Sequence, residues 1–319
     1  MNYDIVAVGE AMLRLWVPVG ERLEQAPAFR ISVAGAEANV AIAAARMGAR
    51  TAWLSALPRN SLGRRAAREI AAHGVDVSHV HWVDHARMGV YFIELSVPPR
   101  PTTVLYDRAG SAAALMDSDS IDWRVIEQAR LVHISGITPA LSDSALETSF
   151  EVVRRARRAG SLVSIDVNYR RLLWTPGECR AAVLEMARSA DLLITTAEDA
   201  LDVFALEGEP AEAARALAAL TACRRVVVTS GSAGAYWLDG DKEGFSLGHL
   251  GAEVVDRIGA GDAFASGTLL GLLEDDLESG VERGLAMAAL KLGIHGDQLS
   301  VVKEEVDRLL TGSGREVAR

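Results

Sequence analysis

Residues 162–195 read LVSIDVNYRRLLWTPGECRAAVLEMARSADLLIT. The run 162–166 is apolar and too short for a helix, so it reads as a buried strand. A helix over 179–188 follows, rich in Ala, Leu, Met and Glu, and a second strand covers 192–195. Strand, helix, strand is the unit of a parallel sheet. Toward the C-terminus the alternation continues with a helix over 211–220 and a strand over 225–229. Residues 236–238 then form a hairpin partner, and two more helices cover 263–273 and 281–292. Toward the N-terminus there is a helix over 144–158 closed by Gly160, a strand over 131–134, a helix over 64–72 before Gly74, and a strand over 52–56. A helix over 37–47 closed by Gly48 and a first strand over 5–8 stopped by Gly9 complete the run. One stretch breaks the pattern. Between Gly89 and Leu105 two faces alternate, and Pro98, Pro99 and Pro101 turn the chain, which predicts a β-hairpin or small sheet. The fold expected is an α/β doubly wound, mostly parallel sheet flanked by helices.

A chain of 319 residues suits two ordinary domains or one α/β domain with an appended lid. Half of the residues are hydrophobic and 24% are charged, the balance of a globular chain with a large core, so disorder and coiled coil are excluded. The formal net charge of −10 opposes binding to nucleic acid or to an anionic membrane. Two cysteines, Cys179 and Cys223, are too few and too far apart for a disulfide scaffold or a Cys-spaced metal site. The start MNYD lacks the basic start of a secretory signal, and no apolar stretch reaches the length of a bilayer span. A cytoplasmic enzyme is expected.

The strongest chemical signal is Gly259, Ala260, Gly261, Asp262, directly ahead of the apolar helix over 263–273. Two glycines allow a tight turn whose first helical amides point outward with the positive end of the helix dipole behind them, a site for phosphate. Asp262 alone is ambiguous. Any first-turn carboxylate is favoured by the dipole, whereas an acid beside an anion hole can also act as a general base. The common nucleotide fingerprints are missing: no Gly-Lys pair for a P-loop and no Gly-x-Gly-x-x-Gly after the first strand. Asp166, Asn168 and Arg170 recur at spacing two past a buried strand; if the chain is extended there, they share one face at its carboxyl end, where open α/β sheets bind ligands.

Context decides between the readings of Asp262. The string Val254, Val255, Asp256 before the glycines and Ala263 to Gly267 after them resembles the C-terminal signature of the PfkB or ribokinase family of sugar kinases. Ala34, Gly35, Ala36, Glu37, Ala38, Asn39 resembles its other signature. The segments LVHISGITPAL (131–141), VSIDVNYRRLLW (163–174) and ALKLGIHGD (289–297) look like those of 2-keto-3-deoxygluconate kinases, one branch of that family. The resemblance implies a single ribokinase-like kinase domain over 1–319 with a small β lid built from parts of about 10–34 and 88–110.

It also implies roles. Asp262 would be the base acting on the sugar hydroxyl, with the amides of Gly259, Ala260 and Gly261 as the anion hole. The substrate would be held by Gly35, Asn39, Tyr91, Tyr106, Arg108 and Arg170, two of them arginines suited to a carboxylate. ATP would lie along Asn168, Thr229, Gly231 and Gly234, and Mg²⁺ would be supported indirectly by Glu198 or Asp199. The expected reaction is ATP-dependent phosphorylation of 2-keto-3-deoxygluconate. The rival in the same class is a fructokinase or another sugar kinase, and from another class a non-catalytic sugar-binding or regulatory relative. An apolar outer face on the lid would make the protein a homodimer through lid-to-lid contact.

Several positions depart from the family pattern. Ala34 stands for the first glycine of a pair, and Thr229 with Ser230 stand where a lysine is common. TTAED (195–199) replaces an Asn-x-x-Glu motif. Arg257 and Ile258 replace threonines, which leaves activation by a monovalent cation open.

Overall fold

The computed structural model describes residues 2–97, 99–249 and 253–312, so Pro98 of the turn noted above lies outside the described residues. The chain opens with strand β1 (Tyr3–Val8), then β2 (Met12–Val17) and β3 (Arg30–Ala34), followed by helix α1 (Ala36–Arg46) and strands β4 (Thr51–Leu54) and β5 (Ala56–Pro58). Next come α2 (Ser61–Ala71), β6 (His81–Val83), β7 (Gly89–Glu94), β8 (Thr103–Asp107), a short α3 (Trp123–Glu127) and β9 (Ala129–Ser135). The regular alternation follows: α4 (Asp143–Ala159), β10 (Leu162–Asp166), α5 (Pro176–Ala187), β11 (Leu192–Thr196), α6 (Ala197–Phe204), α7 (Pro210–Thr221) and β12 (Arg225–Thr229). A hairpin, β13 (Gly234–Asp239) and β14 (Lys242–Leu247), precedes α8 (Ala260–Glu274), α9 (Leu277–Leu292) and α10 (Lys303–Leu310).

Eight strands form the main sheet in the order β14-β13-β12-β11-β10-β9-β1-β4, parallel from β12 to β4 and antiparallel across β13 and β14. One face is covered by α3 to α7 over Val132, Val163, Leu193 and Val226, and the other by α1, α8 and α9 over Ile5, Leu131, Leu192 and Val227. Both faces are dry, which is why these strands read as continuous apolar runs. Helix α8 is buried along 263–272 because it is enclosed by the sheet, α1 and α9. At Gly267 an added Cβ would stand 2.4 Å from the Gly284 amide, so α8 and α9 pack backbone against backbone.

A second sheet, β3-β2-β7-β8, stands apart, with β2 and β7 parallel and the other pairs antiparallel. The alternation over 89–105 belongs to its β7 and β8. Its register sets out two faces. Ser32, Arg14, Tyr91 and Tyr106 form one cross-strand row, and Ile31, Leu15, Phe92 and Leu105 form the neighbouring row, which points the opposite way.

Four expectations are corrected. The single strand over 52–56 is two: after Leu54 the chain turns at Ser55, whose carbonyl accepts from His81 N (2.8 Å), and β5 pairs with β6 in a separate ribbon. The helices expected over 64–72 and 179–188 each start three residues earlier. Asn60 caps Leu62 N and Gly63 N for the first, and a Thr175–Glu178 capping box with Pro176 starts the second. Helix α6 was hidden inside the TTAED motif, because it follows β11 without a loop, capped by Thr196. No helix among the described residues is long and apolar enough to cross a membrane.

Candidate active site

The chain leaves β1 by α1 to β4 on one side and later returns to β9 on the other, so the carboxyl ends of β1 and β9 part at a switch point where a cleft must open. Glu37 in the first turn of α1 reaches into this gap. Its Oε1 accepts from Ser135 N (3.0 Å), Ser135 Oγ (2.6 Å) and Thr138 Oγ1 (2.8 Å), while Oε2 is buried without a partner. Burial pushes the Glu37 carboxyl up from its usual range. Gly9 at the end of β1 is required by the same contact, since a Cβ there would fall 2.1 Å from the Glu37 carboxylate.

Two residues along α1, Asn39 donates from Nδ2 to Asp262 Oδ2 at 2.7 Å. Its Oδ1 is buried with no partner, a free acceptor beside the acid. Asp262 stands in the first turn of α8 after Gly259, whose φ of +86° is left-handed and whose added Cβ would lie 1.9 Å from the Asp297 carbonyl; only glycine fits. Asp262 is ringed by protein yet keeps part of its surface open. Burial pushes its carboxyl up to about 7, helped by Asp297 and Glu37 and opposed by Asn39 and Arg170. Of the three amides expected to form the anion hole, that of Ala260 donates to the Arg257 carbonyl (3.4 Å), those of Gly259 and Gly261 have no acceptor among the described residues, and nothing lies within 4 Å of where a Cβ on Gly261 would be, so that side of the turn is open.

Strands β10 and β11 supply the next groups. Asp166 ends β10, accepts from Asn168 N at 3.2 Å, and is pushed up to about 8 by burial and by the charges of Asp199 and Asp262. Asn168 is buried with φ of +40°, a left-handed backbone that asparagine tolerates better than most L residues. Asp199, in the first turn of α6, accepts from Tyr169 N at 3.2 Å and is pushed up to about 6, chiefly by burial. Arg170 lies among these acids and lowers all three. Among the described residues no carboxylate pairs with it at 4.0 Å or less; its Nη1 donates to the Tyr169 carbonyl.

Arg170 also lines a cavity of 910 Å³ between β8 and the loops after β10 and β11, together with Tyr106, Arg108, Glu198 and Asp199. Gly35, Asn39, Tyr91, Asn168 and Asp262 are not in its lining.

Two substrate candidates are held by the protein itself. Arg108 is nearly buried and ion-paired to Glu10, which also accepts from Ser111 Oγ at 2.6 Å. It is not the free fork that the resemblance implied. Tyr91 turns its hydroxyl onto Asp297 (2.7 and 2.9 Å) and is buried, leaving only its ring, 5.6 Å from that of Tyr106, near the cleft. Gly35 is explained by its own backbone neighbour: a Cβ there would fall 2.1 Å from the Glu10 carbonyl. Gly234 is explained likewise by the Ser246 carbonyl at 2.1 Å, and Thr229 pairs with Ala235. Gly231, with φ of +57° and an open side, is the position of that turn still free to face a ligand.

Sequence reading missed the charged group beneath the glycine turn. Arg14, fully buried on β2, lies between Asp256 and Asp297, with Nη2 2.5 Å from the Asp256 carboxylate. Asp256 also accepts from Ile258 N and Gly296 N, and Lys291 donates to its carbonyl. Only the fold brings these together, because Arg14 lies more than 240 positions from either acid. The one sequence signal was a charged residue inside the apolar strand LRLWV.

The chain is similar along almost its whole length to known proteins. A model of the pfkB family of carbohydrate kinases matches residues 2–304. A 2-dehydro-3-deoxygalactonokinase of Haloferax volcanii is 40% identical over 320 residues, covering all of both chains. A 2-dehydro-3-deoxygluconokinase of Bacillus subtilis is 32% identical over 93% of this chain and 92% of its own. The crystal structure of a 2-dehydro-3-deoxygluconokinase of Thermotoga maritima superposes with a TM-score of 0.88 at 32% identity, covering 98% and 99% of the two chains.

Proposed function

The chain belongs to the pfkB family of carbohydrate kinases and has the ribokinase-like fold, and on that premise we propose that it moves the terminal phosphoryl group of ATP onto the 6-hydroxyl of 2-keto-3-deoxygluconate. The observation that carries this reading is Asp262, oriented by Asn39, tuned to about 7, and set at the open start of α8. A base with that proton affinity is matched to neutral pH. Asp262 takes the proton of the substrate hydroxyl, that oxygen bonds to phosphorus, and the bond from phosphorus to the oxygen of ADP breaks. The open amides of the glycine turn stabilise charge on the transferred group.

The cavity supports a sugar acid. Arg170 offers a guanidinium that no carboxylate of the described residues occupies, and Tyr106 stands at the same wall. Arg108 contributes by fixing Glu10, or directly once substrate competes for it. The small sheet serves as a lid that excludes water. Asp166 and Asp199 fit a Mg²⁺ ion: burial raises both acids, with the charges of Asp199 and Asp262 adding at Asp166 and those of Glu198 and Asp202 at Asp199, which a cation would relieve. Among the described residues no three ligands cluster for direct binding, so the ion would be held through water and phosphate, with Asp199 favoured over the exposed Glu198. When bound, the ion neutralises charge on the phosphates.

A second reading, the 4-epimer 2-keto-3-deoxygalactonate, is favoured by the 40% identity across the full lengths of this chain and a galactonokinase. A coupled assay of ADP release over both keto acids, gluconate and fructose decides. Turnover with one or both keto acids and none with fructose is expected; fructose as sole substrate would overturn the sugar-acid reading. No turnover with any sugar would favour a binding protein.

A further inference from the structure

Lys291 ends α9 inside the segment ALKLGIHGD and is fully buried. Its ammonium donates to the carbonyl oxygens of Asp256 and Ile294, each at 3.1 Å. Among the described residues no carboxylate oxygen lies within 4.0 Å of it, so this is a dehydrated cation coordinated by peptide carbonyls. Stripping an ammonium of water is costly, and a lysine with no task would be exposed. Burial holds the Lys291 ammonium below its ordinary proton affinity and Arg14 adds to this, while the charges of Asp256, Asp297 and Asp262 favour the charged form.

The two carbonyls belong to the two segments that clamp the glycine turn. Residues 256–258 run directly into Gly259, and 294–297 end at the Asp297 carbonyl against which Gly259 packs. The Asp256 side chain is already held by Arg14, Ile258 N and Gly296 N, so the ammonium joins a site that is bonded on every side.

We propose that Lys291 is a built-in monovalent cation: its ammonium draws together the carbonyls of Asp256 and Ile294 and so sets the glycine turn without an ion from solution. Lys291 is a positioning residue, acting on Asp262 through the backbone of 256–261, and this role rests on the reading of that turn as the phosphoryl site.

The test uses the full chain in choline chloride and in potassium chloride at equal ionic strength. Wild-type kcat should agree within about threefold between the two salts. Lys291→Met should lose about tenfold or more of kcat in choline, with the sugar KM little changed, and regain much of it in potassium or ammonium; Lys291→Arg should keep its rate. Melting temperature gives a readout without activity: potassium should raise that of Lys291→Met and leave the wild type unmoved. A wild type activated beyond threefold by potassium overturns the proposal. So does a Lys291→Met that is fully active in choline, or one whose rate and melting temperature no cation restores. If Lys291→Met does not fold, the wild-type comparison decides alone. A wild type inert toward every sugar counts against the substrate reading, and the melting temperatures still judge the cation.

Discussion

Asp262 shows how a fold sets the proton affinity of a single carboxylate. The dipole of α8 would favour its ionised form, yet burial outweighs it and raises the group to about 7. Its sequence neighbours pointed to the residue, but only the bond from Asn39 and the charge of Arg170 describe its environment. A base raised above its ordinary value is protonated and idle below that point, so kcat/KM should climb with pH, reach half its plateau near 7, and stay level above. Measured as a pH profile, Asp262→Asn should lower turnover by about 10²- to 10⁴-fold and abolish that limb while nucleotide binding persists. An unchanged rate would remove Asp262 from the reaction. Arg108 and Tyr91 teach the reverse lesson. Their residue types and spacing suit a ligand, and the fold adds partners invisible in a linear chain, Glu10 and Asp297, with which a substrate would have to compete.

At the level of elements, local signals served well where they were dense. Apolar runs stopped by glycine marked the parallel strands, and the glycine at 160 adopts the left-handed conformation that ends α4. Legibility failed where an element borrowed its stability from distant partners. Strands β2 and β3 were read only as part of a lid region, for β2 carries Arg14 in an otherwise apolar stretch, and its acids come from beyond residue 255. The junction of α1 with β9 rests on Glu37. Glu37→Ala should strand Ser135 and Thr138 and destabilise the protein by about 2–4 kcal/mol in urea unfolding. Glu37→Gln keeps the acceptor but puts an amide NH2 where Oε2 has no partner, so it should lose about 1–2 kcal/mol, less than Glu37→Ala. Equal losses in both variants would refute the assigned hydrogen bonds.

The whole molecule couples the two sheets through a buried charge group. Arg14 belongs to the small sheet, Asp256 and Asp297 to the segments around the glycine turn, so any movement of the small sheet must carry this group or break it. Arg14→Met should leave two buried acids facing each other and cost about 3–5 kcal/mol, read from denaturant midpoints; a loss below about 1 kcal/mol would show that the pair is not shielded from water. The outer row of the small sheet, with Leu105 55% and Ile31 45% exposed, is the apolar face through which we propose a homodimer. Leu105→Asp should shift the sedimenting species from dimer to monomer, and a monomeric wild type would end that proposal.

The parallel strands of the main sheet with most of their flanking helices, the cleft at the carboxyl edge and the candidate acid at position 262 were legible in the linear chain, because periodicity, glycine stops and short motifs are local properties that each segment carries with it. The folded chain alone decided which charges meet. Arg14 with Asp256 and Asp297, Arg108 with Glu10, and Lys291 with the Asp256 carbonyl are pairings across 35 to 283 positions. Their energies depend on distance and on the exclusion of water, and neither exists until the sheets have closed over them.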